Sequence, residues 1–384
     1  MGKRTKLGIY FSYNENWIGG TYYITNVIEA LKTLPDKVLP AIYFISESQK
    51  DLDIIKNIEY PYSQYLIIGK NQGKEYLKKA VNRITGNKFR LSTNSKIVGL
   101  DLIFPYAPNP FLSKIKNRLS WIPDLQEKNL PEFFSVQELE GRDRECKRIA
   151  YQEKHVLFSS QAAYNDFSTF YPDAIVTKHV LNFAVTHPAY KQLNIVDLRK
   201  KYNLKERYFF SPNQFWKHKN QMVILKAIKL LKEKNELNFQ VAFSGKEHDY
   251  RNPDYFKSLK NYVSDNNLDS DVRFLGFIDR VDQLQLMNYS EAIIQPSLFE
   301  GWSTVVEDAK AMNQSIFASD LKVHREQLDD NAVFFHPSDP EVLADLLSEA
   351  VDGKRIKYQK DYKENIKKFA QDFIKITNVI INNG

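Results

Sequence analysis

Residues 295–312, QPSLFEGWSTVVEDAKAM, predict the unit around which the fold is organised: a strand end, a sharp turn and a helix. The apolar run at 292–294 just before them is typical of a buried strand. Pro296 ends that strand because proline cannot donate to a sheet ladder. Gly301 permits a turn that other residues resist.

The helix of this unit is expected to begin at Ser303 or Thr304, which can cap it, and to run to about Met312. Free backbone amides at its start favour an anionic ligand such as a diphosphate. Glu300 in the turn and Glu307 in the helix can accept hydrogen bonds from sugar and ribose hydroxyls. The same residues also fit an ordinary turn acid and a first-turn acid that complements the helix dipole, so both interpretations stay open.

The stretch resembles the C-terminal signature of the retaining glycosyltransferases of family 4, which have the GT-B fold. Seven residues usually separate the two acids of that signature, whereas six separate Glu300 and Glu307, as in a sub-branch with Glu-Gly-Trp-Ser-Thr-Val-Val-Glu. The resemblance implies that Glu300 orients the donor sugar and that Glu307 holds the ribose. It assigns donor binding to Glu300, Gly301, Trp302, Ser303, Thr304, Val305 and Glu307.

A second motif is the loop at 212–220, PNQFWKHKN, between a predicted strand and a helix from about Gln221. A lysine at a helix start, beside free amides, can clamp a diphosphate, although a surface lysine fits the same pattern. The family usually presents Arg and Lys five residues apart here. Lys219 matches the lysine, but Gln214 occupies the arginine position. The resemblance implies donor binding by Asn213, Gln214 and Lys219, with Lys219 catalytic.

Three further places complete the expected site. Gly19 and Gly20 are expected in a loop between the first strand and a helix starting near Thr21, which makes an anion-accepting turn. The resemblance implies that this loop approaches the donor diphosphate or the acceptor, and donor binding is assigned to both glycines. This loop is not the Gly-x-Gly-x-x-Gly fingerprint, which argues against a dehydrogenase. By the resemblance, Gly245, Phe277 and Ile278 at the ends of two later strands would bind the nucleotide.

Asp124 follows another predicted strand and is the remaining catalytic candidate. Many family members carry a His-Asp pair there, but Pro123 replaces the histidine. Asp124 would contact the acceptor hydroxyl, and a turn-capping aspartate is the alternative.

Alternation of strands and helices along both halves predicts parallel sheets. We therefore expect an α/β chain with two doubly wound, Rossmann-like domains facing across a cleft. Their expected bounds are 1–188 for the acceptor-side domain and 189–361 for the nucleotide-sugar domain. A final helix is expected at 362–384, and the resemblance implies that it returns to the first domain.

The composition, 43% hydrophobic and 26% charged over 384 residues, is that of a folded chain. The sequence contains no run of about 18 apolar residues, so no membrane-spanning helix is expected. Cys146 is the only cysteine, so no intrachain disulfide is expected. The first residues lack a long apolar signal region, which favours a cytoplasmic protein.

The net charge of +7 is concentrated in residues 70–118, which hold 11 basic residues and only Glu75 and Asp101. Within them, residues 74–84 have the pattern of a basic amphipathic helix. This block suits an anionic acceptor or the inner face of the plasma membrane, and a solvated lysine-rich surface remains the alternative. No recognised nucleic-acid module is present.

The sequence therefore predicts transfer of a sugar from a nucleotide diphosphate sugar to a hydroxyl of a glycan or lipid-linked acceptor. The resemblance implies retention of anomeric configuration and a role in surface polysaccharide synthesis. No metal or other cofactor is expected. Asp51-Leu52-Asp53 has the residue order of an Asp-x-Asp metal motif, but it lies in a charged stretch after the second strand and not at the expected site. Two alternatives remain: an epimerase or phosphorylase on the same fold, and a non-catalytic binding protein.

Overall fold

Parallel strands and helices alternate through the computed structural model, which describes residues 4–14, 18–69, 90–93, 96–328, 332–351 and 360–383. Every strand pair in its sheets is parallel. Helices flank the sheets, which form two Rossmann-like domains. The predicted α/β, GT-B class is confirmed.

The N-terminal domain contains a five-stranded sheet and a three-stranded sheet, with the orders β4-β3-β2-β1-β5 and β6-β7-β8. The backbone bond from Leu119 to Ile103 joins the end of the first sheet to the start of the second. The strands are β1 Lys6–Tyr10, β2 Ala41–Ser46, β3 Ser63–Ile68, β4 Arg90–Thr93, β5 Leu102–Phe104, β6 Ser120–Ile122, β7 His155–Phe158 and β8 Thr177–Val180.

The C-terminal domain has one six-stranded sheet with the order β11-β10-β9-β12-β13-β14. Its central strands are almost entirely apolar and fully buried, as expected for a parallel sheet covered on both faces. The strands are β9 Tyr208–Ser211, β10 Gln240–Phe243, β11 Val272–Phe274, β12 Ile293–Gln295, β13 Ile316–Ser319 and β14 Ala332–Phe335.

Thirteen α-helices lie in the described part of the chain. The first five are α1 Ile18–Leu31, α2 Gln49–Lys56, α3 Gln126–Asn129, α4 Val136–Gln152 and α5 Gln161–Phe170. The others are α6 Ile195–Tyr202, α7 Gln221–Glu233, α8 Tyr255–Asp265, α9 Arg280–Tyr289, α10 Thr304–Met312, α11 Lys322–Gln327, α12 Pro340–Val351 and α13 Lys363–Asn383.

The last helix, α13, packs against α1 of the N-terminal domain. Its buried Phe369, Phe373 and Ile380 join the core that also contains Tyr23 and Phe104. A second link runs from α11 to α5, where Glu326 accepts hydrogen bonds from the amides of Gln161 at 2.8 Å and Ala162 at 3.0 Å. A carboxylate of one domain thus caps a helix of the other.

Some element boundaries differ from the expectation. Gly19 and Gly20 belong to the first turn of α1, not to a preceding loop, because the helix begins three residues before Thr21. Within 97–104, a strand-like apolar segment, only Leu102–Phe104 form a strand, β5. The expected basic helix at 74–84 and most of the basic block lie outside the described residues.

Among the residues that the structure describes, no helix combines the length and the apolar character that crossing a membrane requires.

Candidate functional site

A cavity of about 600 Å³ lies between the two domains. Its walls include the segments that follow β9, β10, β11 and β12 at the carboxyl ends of these parallel strands. In open α/β folds, ligands bind at this edge. The N-terminal domain supplies the facing wall, from the start of α1 and the segment after β6.

Most of the residues proposed from the sequence come together around this cavity. Those that line it are Gly19, Asp124, Asn213, Gln214, Lys219, Gly245, Phe277, Ile278, Glu300, Gly301, Trp302, Ser303, Thr304 and Val305. Gly20 lines a neighbouring cavity instead. Glu307 lines neither.

Helix α10 begins at the cavity, as the sequence predicts. The Ser303 hydroxyl accepts a hydrogen bond from the Val306 amide at 3.4 Å and caps the helix. The Gln327 side chain fixes this turn from behind, accepting from the Ser303 amide and donating to its carbonyl. The positive end of the helix dipole therefore faces the space where an anionic ligand would lie.

Glu300 and Lys219 form an ion pair at the edge of the cavity. One carboxylate oxygen of Glu300 accepts from Lys219 Nζ at 2.6 Å, Gln295 Nε2 at 2.7 Å and Ser297 Oγ at 2.7 Å. Burial alone would raise the pKa of Glu300, but Lys219 and nearby His324 outweigh it, and the pKa is lowered. Glu300 is thus an ionised, immobilised acceptor, and Lys219 is a cation held within its reach.

Gly301 is required by a close approach between the domains. A β-carbon placed there would lie 2.6 Å from the Pro123 carbonyl oxygen and 2.7 Å from Asp124 Cβ. Its φ is not in the left-handed region, so the sharp turn itself does not demand glycine. The glycine instead allows the C-terminal signature to touch the strand end that carries Asp124.

Asp124 lines both the cavity and its neighbour. One of its oxygens accepts from the Gln126 amide at 3.1 Å, which is the turn-capping geometry considered from the sequence. Burial raises the pKa of Asp124, with the Gln126 amide and Arg142 acting against the rise. A carboxylate with a raised pKa is better suited to accept a proton than an ordinary aspartate.

The structure places Glu307 away from the cavity, in contrast to its expected contact with the ribose. Its side chain is 1% exposed. It accepts hydrogen bonds from Lys310 Nζ at 2.9 Å, from Gln327 Nε2 at 2.9 Å and from the hydroxyl of Tyr362. Tyr362 also accepts from the Val185 amide, so Glu307 ties α10 to the segment that leads into the last helix.

Asp308, the next residue, lines the cavity instead. Its Oδ1 accepts from Arg280 Nη2 and contacts His187 Nε2 at 2.9 Å. Burial would raise its pKa, but Arg280 and His187 hold the pKa below the ordinary value. Its Oδ2 is buried and has no hydrogen-bond partner in the described part of the chain.

Seven residues separate Glu300 from Asp308, which is the spacing usual in the resembled family. This spacing is a sequence signal that could have identified Asp308. Other polar residues that line the cavity were not proposed from the sequence. His218 belongs to the motif at 212–220, whereas segments that carried no motif supply Tyr23, Arg142, Arg251 and Arg280.

Comparisons with known proteins find glycosyltransferases of similar sequence and similar fold. Residues 195–369 match the family model described as glycosyl transferases group 1. The whole chain has the GT-B architecture of solved glycosyltransferases. A glycosyltransferase from Rickettsia africae superposes with a TM-score of 0.68 at 14% identity, covering 100% of both chains.

HepE of Anabaena, solved in complex with UDP-glucose, has a TM-score of 0.65 at 16% identity over 99% of both chains. Among curated sequences, the O-antigen chain mannosyltransferase RfbU of Salmonella typhimurium is 29% identical over 48% of this chain and 48% of its own. The match to this relative therefore spans about half of its length.

Proposed function

We propose that this protein is a glycosyltransferase that moves a sugar from a nucleotide diphosphate sugar to an acceptor hydroxyl. The observation that carries the proposal is the Lys219–Glu300 pair beside the start of α10, in a cavity between two domains. The glycosyl transferases group 1 match and the likeness to a UDP-glucose complex support the same function.

In this reaction the bond between the anomeric carbon and the diphosphate breaks, and a bond to the acceptor oxygen forms. The products are a nucleoside diphosphate, the glycosylated acceptor and a proton. Lys219 and the amides of residues 304–305 stabilise the departing diphosphate, because they present positive charge in a partly desolvated cleft. The Ser303 amide, which the sequence also suggested, already donates to the Gln327 side chain. Glu300 orients the sugar hydroxyls and offsets the positive charge that develops on the ring.

The nucleoside is assigned to the C-terminal domain. Phe277, which is 67% exposed at the cavity wall, offers its ring to the base together with Ile278. Asp308, and not Glu307, is proposed to accept from the ribose hydroxyls, because its Oδ2 lacks a partner and the residue lines the cavity. Arg280 and His187 keep that carboxylate ionised.

Asp124 is proposed to accept a hydrogen bond from the reacting acceptor hydroxyl, since it lies where the two domains meet. Retention of anomeric configuration and independence from metal ions are further parts of the proposal. Lys219 and the helix terminus supply the positive charge for which other enzymes use a divalent cation, so transfer is expected to persist in EDTA.

The proposed setting is surface polysaccharide synthesis, with a glycan or lipid-linked acceptor, in the cytoplasm at the inner face of the membrane. The similarity to RfbU, whose name describes an O-antigen mannosyltransferase, supports this setting. The basic block at 70–118 supports attraction to an anionic surface.

The first test is thermal stabilisation by UDP-, GDP-, dTDP- and ADP-sugars and their free nucleotides. A ligand present at 100 times its Kd stabilises the fold by about 2.7 kcal/mol, so one nucleotide family should raise the Tm by several degrees. No shift with any nucleotide would contradict the proposal. Product analysis then separates transfer from epimerisation or phosphorolysis, which need no acceptor hydroxyl.

A further inference from the structure

A second cavity of about 350 Å³, the side cavity, lies next to the first within the N-terminal domain. Trp121, Pro123, Asp124 and Arg142 line both, so they form a shared seam. The side cavity is also bordered by Tyr106. Its volume is at the lower end of the range for small-molecule sites, which suits one or two sugar rings.

Three side chains of the N-terminal domain around this seam have polar atoms without a hydrogen-bond partner in the described chain. They are the Thr21 hydroxyl, the Tyr23 hydroxyl and the amide nitrogen Nε2 of Gln126. These residues are 8%, 1% and 9% exposed. Thr21 lines the side cavity, and the other two line the larger one. Buried polar groups are normally paired, so these three atoms keep hydrogen-bonding capacity that a bound ligand can use.

All three groups are uncharged, and the charge around the side cavity is unfavourable to an anion. The titratable side chains that line the side cavity include the acids Asp124, Glu127 and Glu145. Arg142 is the one cation among its described lining residues, and its Nη1 is already 3.3 Å from Glu127 Oε2. A phosphate or carboxylate here would meet acids and an already paired guanidinium, whereas neutral hydroxyls would meet matching donors and acceptors.

We infer that the acceptor presents an uncharged, hydroxyl-rich sugar ring at the seam, where Thr21, Tyr23 and Gln126 bind its hydroxyls. Trp121 and Tyr106 supply apolar walls for the ring. Any phosphate or diphosphate of a lipid-linked acceptor lies outside the side cavity. This inference rests on the proposed function, because only a transferase needs an acceptor.

The test uses substitutions that remove the unpaired atoms while keeping volume: Thr21→Val, Tyr23→Phe and Gln126→Met. Because these atoms bond to nothing in the described protein, the Tm should stay unchanged or rise. The KM for the acceptor should rise roughly three- to tenfold for each variant, as expected for one lost hydrogen bond, while the KM for the donor stays constant.

Tyr60→Phe is the matched control. Tyr60 is also 1% exposed, but its hydroxyl donates to the Pro40 carbonyl at 3.0 Å. This variant should lower the Tm and leave the acceptor KM unchanged. If Tyr23→Phe behaves like Tyr60→Phe, the Tyr23 hydroxyl has a structural role and the inference is overturned.

The acceptor probes are octyl glycosides of neutral hexoses and the same glycosides carrying a 6-phosphate. The neutral series should be used, and the phosphate should lower kcat/KM at least tenfold. Preference for the phosphorylated series would overturn the inference. The inference would also be overturned if the protein binds a nucleotide but ligand-observed NMR detects no binding of any neutral glycoside. Failure to bind any nucleotide would instead remove the proposed function, and this inference with it.

Discussion

At the scale of single residues, the charge state of each ionised group in the site depends on the side chains that surround it. Glu300 is buried yet ionised, because Lys219, Gln295 and Ser297 all donate to it. Breaking such a buried pair leaves a charge without a partner, which is costly for stability as well as for function. Substitutions that preserve shape are therefore the informative ones.

Glu300→Gln is expected to lower turnover at least about 100-fold, because the neutral amide cannot offset positive charge on the sugar. Binding of the nucleoside diphosphate should change only a few-fold. Lys219→Met should weaken that binding and also lower turnover. Steady-state kinetics and calorimetry measure both effects.

The control for these variants is Lys229→Met, which removes a partly exposed lysine of the same domain that forms an ion pair with Glu233. It should behave like the wild type. Near-wild-type turnover in either site variant would refute the role assigned to that residue.

Asp308→Asn and Glu307→Gln test which of two adjacent acids serves the ribose. Asp308→Asn should weaken binding of the nucleoside diphosphate about tenfold or more, as for a lost hydrogen bond to a charged group. It should also erase the preference for that nucleotide over its 2′,3′-dideoxy form. Glu307→Gln should mainly lower the Tm, because Tyr362 and Lys310 lose their partner. The opposite pattern would restore the role first expected for Glu307.

At the scale of elements, contacts between turns and helix ends hold the cleft in its shape. The turn before α10 touches the strand end after β6 through Gly301. The start of α4 is held from the other domain, where Arg251 Nε donates to Glu138 at 3.1 Å and the Tyr250 hydroxyl donates at 2.9 Å. Changes in these contacts should alter function without altering the core.

Gly301→Ala is expected to reduce transfer strongly, because a methyl group would collide with Pro123 and Asp124 and force the two walls apart. Gly141→Ala is the control, since a β-carbon there meets nothing within 4 Å in helix α4. It should raise stability by about 0.5–1 kcal/mol. Equal activity in both variants would show that the close approach is not needed.

Strands β7 and β8 carry a histidine pair that makes stability depend on pH. His155 Nδ1 lies 3.2 Å from His179 Nε2. Burial and the neighbouring His155 lower the pKa of His179 to about 4, from 6.5. Between these values the unfolded chain binds a proton that the folded chain does not, so stability decreases as the pH falls from 6.5 to about 4.

His179→Gln should make this dependence shallower in urea unfolding measured across that pH window. His336→Gln, on an exposed loop, is the control. An unchanged slope in His179→Gln would assign the dependence to other groups.

At the scale of the whole molecule, the uneven charge distribution predicts association with an anionic membrane surface. The basic block should draw the protein to anionic vesicles, with binding that weakens as salt rises. Neutralising Lys74, Lys78 and Lys79 should reduce binding more than neutralising the exposed Lys226, Lys257 and Lys260 of the other domain. Sedimentation with vesicles measures this, and salt-insensitive or absent binding would contradict it.

The sequence by itself determined the two parallel α/β domains, because strand and helix periodicities are local. It also located Lys219, Glu300 and the Ser303 cap, since each stands at the end of a strand or the start of a helix. Such positions follow from hydrogen bonding between near neighbours in the chain.

Only the tertiary structure showed that Asp308, and not Glu307, borders the cavity. Consecutive helix residues point about 100° apart, so only one of the two borders the cavity, although both side chains are buried. Which one did so depended on Tyr362, Arg280 and His187, all distant in sequence. The close approach at Gly301 and the three unpaired groups at the seam likewise arise where separate segments meet, which no local pattern records.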